Sequence, residues 1–304
     1  MYLDDKKSSL VLKLSANQNF QYEESKMELE IIAIYCWSEL LLNQLNIKDD
    51  WRSEMSNAEV ITTAIVAVRF FSGNFENARI FLKDHHYMPK MLSKSRFNRR
   101  LHSLGPELIC DLQKIIGELF KSANPTQEYA VDSFPVPVCE NIRIFNSKVY
   151  AEEKYRGYQA SKKRYFYGVK VHMLVTVDGK PIEFILSHGA CSDITAFKDL
   201  DLDLPEGSVI YGDKGYTDYE EEDFLAESGI NLKSQRKENS KRKHSGCMNF
   251  LINHQRKMVE TAFSGIARLF PKHIHAVTSQ GFELKVALFA CAPAFMTLVM
   301  DVLA

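Results

Sequence analysis

At 304 residues, 45% hydrophobic and 25% charged, with only 14 Gly and 9 Pro, the chain is long enough to bury a substantial core, roughly two domains at about 150 residues each. This composition excludes a disordered chain, a collagen-like repeat and a peptide-sized scaffold. The formal net charge is -1, yet the charges are segregated: Lys83 to Arg100 and Lys233 to Lys243 are basic runs, whereas Asp199 to Glu227 is acidic with Lys214 as its single cation. Grouped cations keep a polyanionic partner open despite the neutral total. The six cysteines are scattered with no CxxC pair, which argues against a disulfide scaffold or a zinc knuckle. The apolar run Val286 to Leu303 is interrupted by Pro293 and Asp301, and the first nineteen residues lack a signal-peptide layout, so a soluble, unexported protein is expected.

In chain order, residues 1–22 are polar and aperiodic and read as a mobile arm. Glu24 to Leu45 carries apolar residues at helical spacing. Ser56 with Glu59 forms a capping-box signature that opens a helix through Val60 to Phe71. Further helical patterns cover Phe75 to His85, Ser93 to Leu104 and Pro106 to Phe120. Past Ser122 to Gln127 the period falls to two, predicting strands at Tyr129 to Phe134, Phe166 to Val177, Pro181 to Ser187 and Ser208 to Tyr211. Asp178-Gly179 marks the hairpin between the second and third. Asp193 is read as capping a short helix to Leu200, and Thr217 with Glu220 as opening a helix that Gly229 closes. Residues 233–246 read as a basic loop, Phe250 to Phe270 as an amphipathic helix and Gly281 to Leu303 as an apolar one. The whole is an α/β chain: a helical region at 23–122, then a mixed-sheet domain at 123–304 with flanking helices.

Three acids stand where local structure does not demand them. Asp132 lies inside the apolar strand Tyr129 to Phe134, where an unpartnered carboxylate is costly. Asp213 follows Val209-Ile210-Tyr211 almost at once, and ligands collect beyond the carboxyl ends of strands in open α/β sheets. Glu260 sits just outside the apolar stripe of its helix, one turn from Arg256. Each has an ordinary reading alone, as turn, cap or surface pair. As a set, two sheet-end carboxylates and one helix carboxylate can hold two hard divalent cations about 3.5–4 Å apart for in-line displacement at phosphorus.

The order Val131-Asp132-Ser133, Tyr211-Gly212-Asp213-Lys214-Gly215-Tyr216 and Arg256-x-x-x-Glu260-x-x-Phe263 resembles the acidic triad of insertion-sequence transposases, and most of all that of the bacterial 982 family. Tyr167 to His172 and Ser187 to Asp193 are similar to further segments of such transposases. The resemblance covers roughly residues 57 to 300. It implies a ribonuclease-H-like catalytic domain, two Mg2+ ions (Mn2+ substituting) on Asp132, Asp213 and Glu260, and hydrolysis at element ends followed by strand transfer. It further implies double-stranded DNA as partner, a homodimer on that DNA and a place at the bacterial nucleoid in the cytoplasm. Asn253 and Ala267 depart from the related insertion-sequence 4 group, which carries Tyr and Lys there; those roles fall to Lys214, Lys170 or the basic loop, or are absent.

For DNA contact the candidates are Lys162, Lys163, Arg164, Lys170 and His172, interleaved with Tyr158, Tyr165 and Tyr167, together with Lys214 and Arg256. Arg96, Arg99 and Arg100 share a candidate recognition helix, although its connection to the preceding helix is longer than a helix-turn-helix turn. Two alternatives stay open: a catalytically inactive DNA-binding regulator derived from a transposase, and a plain metal-dependent nuclease.

Overall fold

The computed structural model describes residues 25–139, 144, 147, 149–159, 163–271 and 273–303, with Met258 described in its backbone alone. The arm assigned to residues 1–22, and Lys162, lie outside these. Residues 25–44 form α1. In α2 (Asn57–Phe71) the expected capping box is present: Ser56 Oγ accepts the Glu59 N–H at 3.1 Å, and the Glu59 carboxylate accepts the Ser56 N–H at 2.7 Å. After α3 (Phe75–Asp84), α4 (Lys94–Ser122) comprises two helical stretches broken at Gly105, whose φ of 77° a side chain would disfavour and whose successor is Pro106.

The sheet strands are β1 (Glu128–Cys139), β2 (Arg156–Gln159), β3 (Arg164–Thr176), β4 (Pro181–His188), β5 (Val209–Gly212) and β6 (Asn231–Ser234). Central β1 runs antiparallel to β3 on one side and parallel to β5 on the other, and β5 is parallel to β6. Along β3's other edge, β2 pairs with residues 164–167 and β4 with residues 169–175. β1 outruns its expected end at Phe134 because β5 pairs with it only over residues 128–130. Past that point one edge carries no ladder, so Pro135 and Pro137 are tolerated there. The short β2 and β6 carried too few alternating residues to register in the sequence.

Helix boundaries shift for similar local reasons. α5 (Asp193–Phe197) is capped by Ser192, whose Oγ accepts the Thr195 N–H, so the expected cap role of Asp193 is corrected. α6 (Tyr219–Glu227) is capped by Asp218, which accepts from the N–H groups of Glu220 and Glu221, and not by Thr217. In α7 (Gly246–Leu269) the buried stripe is Ile252, Val259, Phe263 and Ile266, while Leu251 faces out.

The last helix, α8 (Ser279–Leu303), is apolar over a length that could cross a bilayer, contrary to the expectation from Pro293 and Asp301, yet most of it is buried inside the molecule. It packs against α4, α2, β4 and α7. One hydrophobic cluster runs from Ile31 and Leu41 of α1 through α2, α4 and the sheet to Val299. Gln113 of α4 donates to the carbonyls of Pro181 and Ile182 (2.9 and 3.1 Å), fastening the helical half to β4. The sheet is thereby clamped between helices, and the open carboxyl ends of β1 and β5 are left to carry polar groups.

Candidate active site

Asp132 and Asp213 are neighbours by register. The last β1–β5 pair is Ala130 with Tyr211; Asp132 lies two residues further along β1, and Asp213 two residues further on, one past the end of β5, in extended backbone. Asp132 is half-buried, and its Oδ1 accepts the Ser133 N–H at 2.8 Å. Burial chiefly, with the negative charges of Asp213 and Asp193, pushes its carboxyl up to about 6; the Ser133 N–H and Arg256 oppose that shift. Asp213 caps the turn Lys214–Tyr216, with Oδ1 accepting the Gly215 N–H at 2.6 Å. A Cβ at Gly215 would stand 2.9 Å from Asp213 Oδ1 and 3.0 Å from Asp193 Oδ2.

Asp193, expected as a helix cap, leaves that role to Ser192 and turns Oδ2 toward Gly215. Ser192, an equally good cap, was the available signal. Ser133 Oγ donates to Asp193 Oδ1 at 3.0 Å, and Lys170 Nζ lies 3.3 Å from the same oxygen while donating to the Cys191 carbonyl at 2.7 Å. Wholly buried His172 shares the strand face with Lys170; its Nδ1 is 4.0 Å from Asp193 Oδ1, and its Nε2 meets Ser187 Oγ at 2.8 Å. Burial holds its pKa down to about 4, so the ring is neutral at physiological pH. Tyr216 is also fully buried.

Glu260 lies on α7, exposed to solvent, with Arg256 one turn earlier at 3.4 Å. Arg256 is close enough to Asp132 to influence it, but Glu260 is not drawn in with the two strand acids. Among the described residues no three His, Cys, Asp or Glu side chains stand close enough to enclose a metal ion. The donor set at the strand ends nonetheless fits a hard divalent cation. Asp132 and Asp213 are hard oxygen donors, and neither is in an ion pair among the described residues.

The expected DNA-contacting cations divide. Lys214 is exposed beside Asp213, and Lys163 and Arg164 are exposed at the start of β3. Lys170 is turned inward onto Asp193. On α4, Arg96 is paired with Glu54 (2.8 Å), Arg100 donates to Asn57 Oδ1 (2.6 Å), and Arg99 is exposed. The basic loop after β6 folds back on α6, where Arg236 is bonded to Glu222 and Arg242 to Asp223.

Residues 122–273 match the family model of the transposase DDE domain. No curated protein and no solved structure matches the chain. The matched segment is half of the chain, and it runs from the foot of β1 to the end of α7, taking in Asp132, Asp193, Asp213 and Glu260. The mixed α/β sheet with flanking helices is compatible with such a domain, and the chain belongs to the transposase DDE-domain family.

Proposed function

We propose that the protein is the DNA transposase of a bacterial insertion sequence, of the 982-family kind that its motifs resemble, cutting phosphodiester bonds at the element ends and joining the freed 3'-hydroxyl to target DNA. The observation that carries this reading is the pair Asp132 and Asp213, carried by adjacent parallel strands, with Asp132 held partly out of water. The mixed sheet, with β4, β3 and β1 antiparallel and β5 and β6 parallel to β1, is compatible with a ribonuclease-H-like domain.

Asp132 and Asp213, with Glu260 from α7, would hold two Mg2+ ions. When bound, these ions activate the attacking water or hydroxyl and stabilise the leaving oxygen. The chain's own residues orient the acids. The Ser133 and Gly215 N–H groups fix the two carboxylates, and Arg256 places a positive charge between α7 and β1. Lys214, exposed next to Asp213, offers a cation to the DNA backbone, and Lys163 and Arg164 extend that surface. Cutting two ends calls for two copies acting together on the DNA, in the bacterial cytoplasm.

The test is cleavage and strand transfer on DNA carrying the element ends, in Mg2+ or Mn2+, with Asp132→Ala, Asp213→Ala and Glu260→Ala. All three are expected to abolish both products, and full activity in any one removes that residue from the site. The exposed Arg256–Glu260 pair favours a second reading, a DNA-binding regulator without chemistry; such a protein binds the ends and leaves them uncut. Cleavage without joined product would identify a plain nuclease.

A further inference from the structure

We infer that the outward face of α7 is a seat for the sugar-phosphate backbone of duplex DNA, with Lys257 and Arg268 holding phosphates before and after Glu260 along the helix. This rests on the reading of the chain as a protein that acts on DNA.

Three observations support it. First, the face is continuous and free of acids. At about 100° per residue, Phe250, His254, Lys257, Thr261, Ser264 and Arg268 fall on one stripe, and all six are exposed. The stripe lies opposite the buried Ile252, Val259, Phe263 and Ile266. Phe250 and Arg268 stand about five turns apart, so the stripe runs straight for about 27 Å, the length of roughly eight base pairs of duplex. Glu260, the sole acid of α7, borders the stripe beside Lys257 and Ser264. Second, Lys257 and Arg268 have no ion pair among the described residues, whereas Arg96 of α4 and Arg236 and Arg242 after β6 each answer an acid. Cations left unmatched on an exposed face attract a polyanion.

Third, the middle of the stripe is low. Thr261, Ser264 and Gly265 follow one another there, and a glycine inside a helix weakens it. No neighbour calls for one at this point, since a Cβ at Gly265 would meet nothing within 4 Å. What the glycine leaves is bare helix surface, against which an external backbone can come close. At the start of the stripe Phe250 is 71% exposed, with the His254 ring stacked on it at 6.3 Å, a flat ring that a sugar or base can cover. The other groups are cations and hydroxyls, which suit phosphate oxygens and offer little to an apolar protein partner.

The experiment is binding of a duplex of arbitrary sequence to the full chain in chelator, by fluorescence anisotropy across a salt series, so that no cleavage enters the readout. The variants are Lys257→Ala, Arg268→Ala, the two together, Gly265→Leu and, as control, Lys26→Ala at an exposed position of α1. Melting confirms that each is folded. Each lost phosphate contact should weaken binding about eightfold at 0.1 M salt and lower the slope of log affinity against log salt by about 0.9, and the double variant should show both losses. Gly265→Leu should raise the melting temperature and yet weaken binding, a combination that a purely structural role does not give. Unchanged affinity and slope in Lys257→Ala and Arg268→Ala would overturn the assignment. An equal loss in Lys26→Ala would overturn it too, by reducing the effect to net charge, and undiminished binding by Gly265→Leu would remove the close approach at the middle of the face. Failure of the unaltered chain to bind duplex would defeat the underlying DNA reading instead.

Discussion

Two acidic regions of this chain use their charge in opposite ways. On and just before α6, several carboxylates have a cation partner, two of them from the loop after β6. Glu222 meets Arg236 with both side chains buried, Asp223 takes two bonds from Arg242 (2.6 and 2.7 Å), and Asp218 takes Lys198 (2.8 Å), while Tyr219 lies under both arginines. Asp132 of β1 instead feels the negative charges of Asp213 and Asp193, and Lys170 is paired with Asp193. The acidic and basic runs of the sequence thus meet through Glu222–Arg236 and Asp223–Arg242, whereas Asp132 and Asp213 have no ion pair among the described residues. Unbalanced charge held against a sheet is stabilised by a cation from outside, and this is the chemistry a phosphoryl-transfer site needs.

The sharpest way to break this contrast is by activity. Asp132→Ala or Asp213→Ala should lower end cleavage by roughly 1000-fold or more, since cation-mediated stabilisation of the reacting oxygens is a matter of several kcal/mol. Asp223→Ala should leave cleavage unchanged in the same gel assay. If Asp223→Ala proved as damaging as Asp132→Ala, the distinction between matched and unmatched acids would fail.

Next in size is the buried pair on the matched side. Glu222→Ala strands Arg236 in a site where both side chains are at most 10% exposed, which should destabilise the protein by about 3–5 kcal/mol in urea titration. Replacing both partners by apolar residues of similar volume should recover much of that loss. A small effect of Glu222→Ala would mean that the loop is held on α6 by Tyr219 and not by charge.

The strand acid should behave in the reverse sense. The Asp132 carboxyl is raised from 3.8 to about 6 in the fold. Between those values the folded protein holds a proton that the unfolded chain has lost, so stability falls as pH rises across the window and the penalty is full above it. Asp132→Asn should therefore stabilise the protein at pH 7 in chelator by about 1–3 kcal/mol, and the gain should vanish below pH 4. A gain that persists at pH 3.5 would assign the effect to packing.

How far this arrangement could be read beforehand follows from how local each signal is. The strand run Tyr129 to Phe134, the Asp178-Gly179 turn and the Ser56–Glu59 box depend on neighbouring residues, and the structure has all of them. Asp132 and Asp213 were visible as anomalies because an acid in or just beyond an apolar strand needs an explanation. That adjacent strands carry them depends on β1–β5 pairing, which no local pattern contains. Asp193 was misplaced because Ser192-Asp193 offers two competent caps, and only the fold shows that the serine takes the role. The basic run after β6 shows the same limit of local pattern: Arg236 and Arg242 answer acids that lie 14 and 19 residues earlier in the chain.

The smallest expected effect sharpens the comparison from the exposed side. Arg242 and Asp223 are joined by two short bonds, yet their side chains are 47% and 63% exposed. Solvent screens such a pair, and two long side chains lose freedom in making it. Asp223→Ala should shift the melting temperature only slightly, and what shift there is should disappear in 0.5 M salt, whereas the loss from Glu222→Ala should persist. The two pairs sit one residue apart on the same helix and bind the same loop, so their difference isolates burial from charge. Equal losses at both positions would show that the loop detaches as a unit once either arginine is freed, and the matched region would then be a single cooperative clasp in which burial decides nothing.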